Sequence, residues 1–236
     1  GVLARHDPRA PFWCAAVLLA AIAPVIRARG AIAPAASEAV VRPRWRDLAR
    51  TLWIPVGSAF VGRFTVGCLV VTFSLFAHRV HRLDDAAVGV LFSLLTGSFA
   101  FGMYPAGQIA EASSRAAMLA AGLAIYALAL AGIPLGSTNV MKVLMPVAGL
   151  ASAMIFSPTL CYSAALVSSE HRRHAIALVN IAGSLGMLLG PAAAGILSAW
   201  VRHHAPPDDV AAPYRAAFML AAASVTAWLV VTLRWL

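Results

Sequence analysis

The stretch "GSLGMLLGPAAAGIL" (Gly183–Leu197) carries glycines at 183, 186, 190 and 195 and a proline at 191 within an otherwise apolar run. In water, glycine and proline weaken a helix by about 1 and about 3 kcal/mol per residue. The stretch is therefore a poor helix for a soluble core and a worse strand. In a bilayer the same residues read differently, because small residues let helix backbones approach closely. The solvent of the chain decides the reading, and composition decides the solvent.

Hydrophobic residues make up 61% of the 236 and charged residues 11%, with a mean hydropathy of +0.82. Soluble domains run to roughly 45–50% apolar and about 25% charged. The chain is an all-α integral membrane protein. Seven uncharged or nearly uncharged stretches approach the length needed to cross a bilayer as helices, which is about 20 residues: Pro11–Ile26, Leu52–Ala77, Ala86–Ala110, Ala116–Leu135, Val143–Val167, Ala175–Val201 and Ala216–Leu233. The first is short and needs Arg9, Arg27 and Arg29 to snorkel towards the interfaces. No stretch shows the period-2 alternation of a membrane barrel strand.

Lysine and arginine set the orientation. One side collects ten of them (Arg27, Arg29, Arg42, Arg44, Arg46, Arg50, Arg115, Arg172, Arg173 and Arg234) and the other seven. This bias predicts a cytoplasmic C-terminus and a cytoplasmic segment 27–50, with Gly1 outside. The net charge of +9 does not indicate nucleic acid, since the arginines are scattered over short loops rather than clustered on one face. Arginine outnumbers lysine 17 to 1, a usage expected of a GC-rich bacterial genome and hence of a bacterial cytoplasmic (inner) membrane. Cys14, Cys68 and Cys161 all fall inside predicted spans without metal-ligand spacing, and read as small apolar residues.

Two entries into the membrane repeat each other. "RAPFWCAAV" from Arg9 and "RAAFMLAAA" from Arg215 share Arg-Ala-x-Phe ahead of an Ala-rich span. The match implies that Gly1 ends a helix equivalent to 175–201, whose body lies upstream.

"GMLLGPAAAG" (Gly186, Gly190, Pro191, Gly195) resembles the Gly-x-x-x-Gly-Pro pattern of major facilitator superfamily transporters. Drug/proton antiporters of that family carry it in their fifth helix, and a looser copy is frequent in the eleventh. "GQIAEASSR" (residues 107–115) resembles the second copy of the family's loop signature, Gly-x-Leu-Ala-Asp-Arg-x-Gly-Arg-Arg: Gly107, Ile109, Ala110, Glu111 and Arg115 fit, while Ala112, Ser114 and Ala116 depart. The resemblance covers essentially the whole chain through the spacing and order of its spans. It implies that the seven spans are helices 6–12 of a twelve-helix fold. Residues 1–26 then end the N-terminal half, 27–51 form the cytoplasmic linker, and 52–236 form the C-terminal six-helix bundle. The partner implied is the N-terminal half of the same protein.

Gly183, Gly186 and Gly190 fall on one side of a helix of 3.6 residues per turn, a groove for a neighbouring backbone, and Pro191 allows a bend. Such a helix suits a protein that rocks between two access states. A static packing helix would use the same residues. Glu111 and Arg115 stand four apart at a predicted cytoplasmic helix end, where an acid–base pair holds one access state closed; Glu170 in "SSEHRRH" is a second such acid. Both turns also fit plain solvated anchors.

Ionisable residues inside a span are functional candidates, and Arg63 in "VGRFTVG" is the clear case. It either faces protein or water within the membrane or snorkels to the interface. Tyr104, Phe156, Thr159 and Tyr162, with Asn180 and Ser184, are isolated polar or aromatic groups in apolar walls, the make-up of a small-molecule pocket. Each also fits an ordinary packing role. No Asp or Glu lies within a span and all seven histidines sit in loops or at helix ends, so a proton-coupling acid is expected upstream. No cofactor or metal is called for.

A retinal receptor needs a lysine within a span, and Lys142 lies at a helix end. An intramembrane serine hydrolase needs a buried histidine facing its serine. A metal transporter needs clustered acids, histidines or cysteines. The expectation is a secondary active transporter of a small molecule, working by rocker-switch alternating access as a drug or metabolite:proton antiporter that drives efflux. The alternatives are an uptake symporter for a sugar or organic acid and a non-transporting membrane scaffold.

Overall fold

The computed structural model describes residues 50–112, 114–206 and 208–235, with Leu48 and positions 16, 17 and 20 besides. These residues form six long helices: α1 Trp53–Arg79, α2 Asp85–Ala112, α3 Arg115–Gly132, α4 Thr138–Ala165, α5 Arg172–His204 and α6 Ala212–Trp235. All six are long and apolar enough to cross a membrane. The first predicted span, Pro11–Ile26, lies almost wholly outside the described residues, as does the linker 27–51 apart from Leu48, Arg50 and Thr51. The count among the described residues is therefore six rather than seven.

The helices outrun the apolar windows that predict them, because polar residues at the interface continue the backbone ladder. Helix α5 extends from Ala175–Val201 to Arg172–His204, and α4 begins at Thr138 rather than Val143. The predicted span Ala116–Leu135 stops as an α-helix at Gly132, the end of α3, and tightens into a 3₁₀ turn, Ile133–Leu135, around Pro134. Turn chemistry sets the starts. Asp84 accepts from the Ala87 N–H at 2.9 Å at the start of α2, and Ser114 accepts from the Ala117 N–H at 3.3 Å at the start of α3. Asp209 accepts from the N–H groups of Ala211 and Ala212 at 3.2 and 3.0 Å at the start of α6.

The strongest pairings are α1 with α5 and α2 with α4, followed by α3 with α4, α3 with α6 and α1 with α6. Exchanging α1–α3 for α4–α6 maps this set onto itself, the signature of an internally repeated bundle. Close backbone approach makes the two main pairs. A Cβ built on Gly67 of α1 meets the Met187 carbonyl of α5 at 2.9 Å and Pro191 Cδ at 2.8 Å. On α4, a Cβ on Gly149 meets the Leu95 carbonyl and Phe99 N of α2, a close approach within the other pair. The buried centre holds Phe73, Phe76, Tyr126, Met141, Met145 and Phe218. The exterior is apolar too: Phe101 is 84% exposed, Leu128 74% and Ile196 73%, as befits lipid contact.

Aromatic residues mark both ends. Trp53 makes edge-on contacts with Trp228 and Trp235, at 6.0 and 5.6 Å between ring centres, and Trp200 sits against His204 at the opposite end. Such belts anchor helices at the membrane–water boundary.

Candidate substrate cavity

Arg63 lies ten residues into α1, roughly 15 Å along the axis from Trp53 at 1.5 Å per residue. That is about half of a hydrocarbon core roughly 30 Å thick. Its guanidinium lies 5.3 Å from the centre of the Phe156 ring on α4, a cation–π contact. Its stem runs over Gly183 of α5, whose missing side chain leaves the room: a Cβ there would stand 3.1 Å from Arg63 Cγ.

Two cavities meet at this contact, and Ala59, Arg63 and Phe156 line both. The first, about 210 Å³, lies between α1, α2, α3 and α4. Its walls are mainly apolar, with Val66, Leu95, Phe99 and Ile155, and carry hydroxyls from Ser58, Thr96, Tyr126, Ser152 and Thr159. The second, about 480 Å³, lies between α1, α4 and α5 and is lined by Asn180, Ser184, Met187 and Leu188. Helices α1 and α4, equivalent in the internal repeat, thus supply the shared wall.

Of the residues singled out from sequence, Arg63, Phe156, Thr159, Asn180 and Ser184 come together at these cavities. The Thr159 hydroxyl donates to the Ile155 carbonyl at 2.6 Å. Tyr104 does not join them. It is 75% exposed and accepts from Gln108 at 3.0 Å. Tyr162 is also apart, lining a small gap with Arg115 and Pro158.

The glycine-rich stretch divides its roles by face. Gly186 and Gly190 are buried against α1, where added Cβ atoms would run into the carbonyl oxygens of Phe60 and Phe64. Pro191 packs against Gly67, whereas a Cβ on Gly195 or Gly107 would meet nothing within 4 Å. Arg115 is half-buried at the start of α3, and the side chain of Glu111 lies outside the described residues. Glu170 is exposed in the single turn Ser169–His171.

Two buried polar pairs escaped the sequence reading. Tyr126 is fully buried, its hydroxyl 3.3 Å from that of Thr65, which donates to the Gly62 carbonyl at 2.8 Å. A lone tyrosine in "GLAIYALAL" was a visible signal. Ser58 accepts from Trp228 Nε1 at 2.9 Å across 170 residues of sequence, a pairing no local pattern announces.

Six helices long and apolar enough to cross a membrane, with two cavities between them, define a multi-pass membrane protein. Residues 55–236 match the sequence profile of the Major Facilitator Superfamily, and the chain belongs to that family. No curated protein matches the chain. The superfamily is one of secondary transporters rather than enzymes, so the chain serves a small-molecule substrate within a lipid bilayer.

Proposed function

We propose that this protein exports a small molecule across a bacterial inner membrane by rocker-switch alternating access, coupled to proton entry. The observation that carries the reading is the Arg63–Phe156 contact, which joins α1 to α4 at membrane depth where two cavities meet. A cation held there is expensive unless it serves a pathway or pairs with a partner. Arg63, Asn180 and Ser184 are exposed on this side of the bundle, which favours a second six-helix bundle as the opposite wall. In this reading residues 52–236 form one half, 27–51 the cytoplasmic linker, and 1–26 the end of the other half. Arg63, Phe156, Thr159, Asn180 and Ser184 contact substrate.

The Gly186–Gly190–Pro191 seam between α5 and α1 serves as the bending element, and Gly107, Glu111 and Arg115 as the gate at the cytoplasmic end. The excess of arginine in segments 27–50, 115, 172–173 and 234 supports a cytoplasmic C-terminus. Efflux direction rests on the likeness of the Gly-Pro pattern to antiporters.

A toxicity panel on cells carrying the intact gene tests the direction. Raised resistance supports export, growth on a new carbon source reverses the direction, and neither effect points to a scaffold. Arg63→Leu is expected to lower transport with membrane abundance unchanged; unaltered transport would remove Arg63 from the pathway.

A further inference from the structure

We infer that the substrate is an amphipathic organic anion, its carboxylate bound by Arg63 and its apolar body seated in the cavity beside Phe156. The inference rests on the transport reading above and adds the substrate's charge. No Asp or Glu falls in the interior of any of the six helices: Asp85 opens α2 and Glu111 stands one residue from its end. Among the described residues no carboxylate lies within ion-pair distance of Arg63, and its guanidinium meets the Phe156 ring.

A guanidinium is planar, permanently charged and matched to a carboxylate by two parallel N–H···O bonds. Arg63 is exposed and lines both cavities, so an incoming anion can reach it. The space beside it fits the rest of such a molecule. The first cavity is mostly apolar, about 210 Å³, with hydroxyls from Ser58, Thr96 and Ser152 on its wall.

Phe156 has a second role in this scheme. Its ring touches both Arg63 and Phe99, the latter edge-on at 6.0 Å, and it stands between the two cavities. Gly183 sets the direction of approach, because the Arg63 stem lies over it and a Cβ there would crowd Cγ at 3.1 Å.

The test uses the intact protein, purified into lipid nanodiscs, and three probes of one shape: 4-phenylbutyrate, 4-phenylbutyramide and 4-phenylbutylamine. Calorimetry is expected to show the carboxylate bound at least about tenfold tighter than the amide, the scale of a charge-assisted hydrogen bond, with no binding of the amine. Arg63→Gln should bring the carboxylate:amide ratio to about one, and Arg63→Lys should keep part of it.

Equal or tighter binding of the amide or amine to the unaltered protein overturns the inference, as does a preference that survives Arg63→Gln. The comparison in the unaltered protein decides the matter even where the variants do not fold. Flux through proteoliposomes separates the two readings. Anion binding without phenylbutyrate flux counts against transport and leaves the anion site standing. Flux of neutral or cationic compounds that is indifferent to Arg63→Gln keeps transport and removes the anion.

Discussion

Replacing Gly186 by alanine drives a methyl group into the carbonyl oxygen of Phe60, with Phe64 N at 2.9 Å and the Phe60 carbonyl carbon at 3.1 Å from the new Cβ. Ordinary contact begins at 3.4 Å, and the obstructing atoms are backbone, so α1 and α5 must part by about half an ångström or more. A gap of that size forfeits roughly a quarter or more of each dispersion contact along the seam. Overpacking of this kind costs about 1–3 kcal/mol. Alanine returns up to about 1 kcal/mol through its better helix propensity.

From the middle of that cost, about 2 kcal/mol, the net expectation is a loss of about 1–2 kcal/mol, or roughly 2–8 °C in Tm for a domain of this size. Gly195→Ala is the internal control, since a Cβ there meets nothing within 4 Å and only the propensity gain remains. Thermal unfolding of both variants in the same lipid, followed by tryptophan fluorescence, reads the difference. The reasoning fails if Gly186→Ala melts with the parent, or if Gly195→Ala is equally damaged.

Three further outcomes are expected. Trp228→Phe leaves the buried Ser58 hydroxyl without the donor now 2.9 Å away and should lower stability by about 1–3 kcal/mol; adding Ser58→Ala should recover part of it, and strict additivity would show that the pair is not coupled. With Cys14 replaced by serine, a membrane-permeant maleimide should label half-buried Cys161 and spare Cys68, whose Sγ donates to the Gly190 carbonyl at 3.2 Å inside the α1–α5 seam; equal rates would mean that the seam opens freely. His81, in the turn between α1 and α2 and edge-on to Phe76 at 5.0 Å, is held below the ordinary imidazole pKa of 6.5 by burial. The unfolded chain therefore binds its proton more readily, and His81's contribution to stability, complete above pH 6.5, is lost as pH falls below that value. Titration of the His81 ring by NMR checks this, and a midpoint at or above 6.5 contradicts it.

Much of this was legible along the chain because a bilayer imposes its demand locally. Every backbone group in a span must be satisfied within its own helix, so length and apolarity alone located the six helices found. The ladder Gly183–Gly186–Gly190 was likewise readable, since spacing fixes which residues share a face. So was Arg63, a charge where charges are rare. Partnership was not readable. That Gly186 and Gly190 pack on Phe60 and Phe64 of α1, or that Trp228 reaches Ser58, depends on which helices meet.

The same distinction separates the candidate residues. Phe156 and Tyr104 look alike in sequence, each an aromatic near a proline in mid-span. One meets Arg63 between two cavities and the other faces outward. An apolar span has no hydrophilic face to betray its rotation, because lipid and protein interior are both apolar. The sequence by itself therefore determined the solvent, the helices and the family. The rotation of each helix, and with it the membership of the cavity, was decided only when the six helices packed.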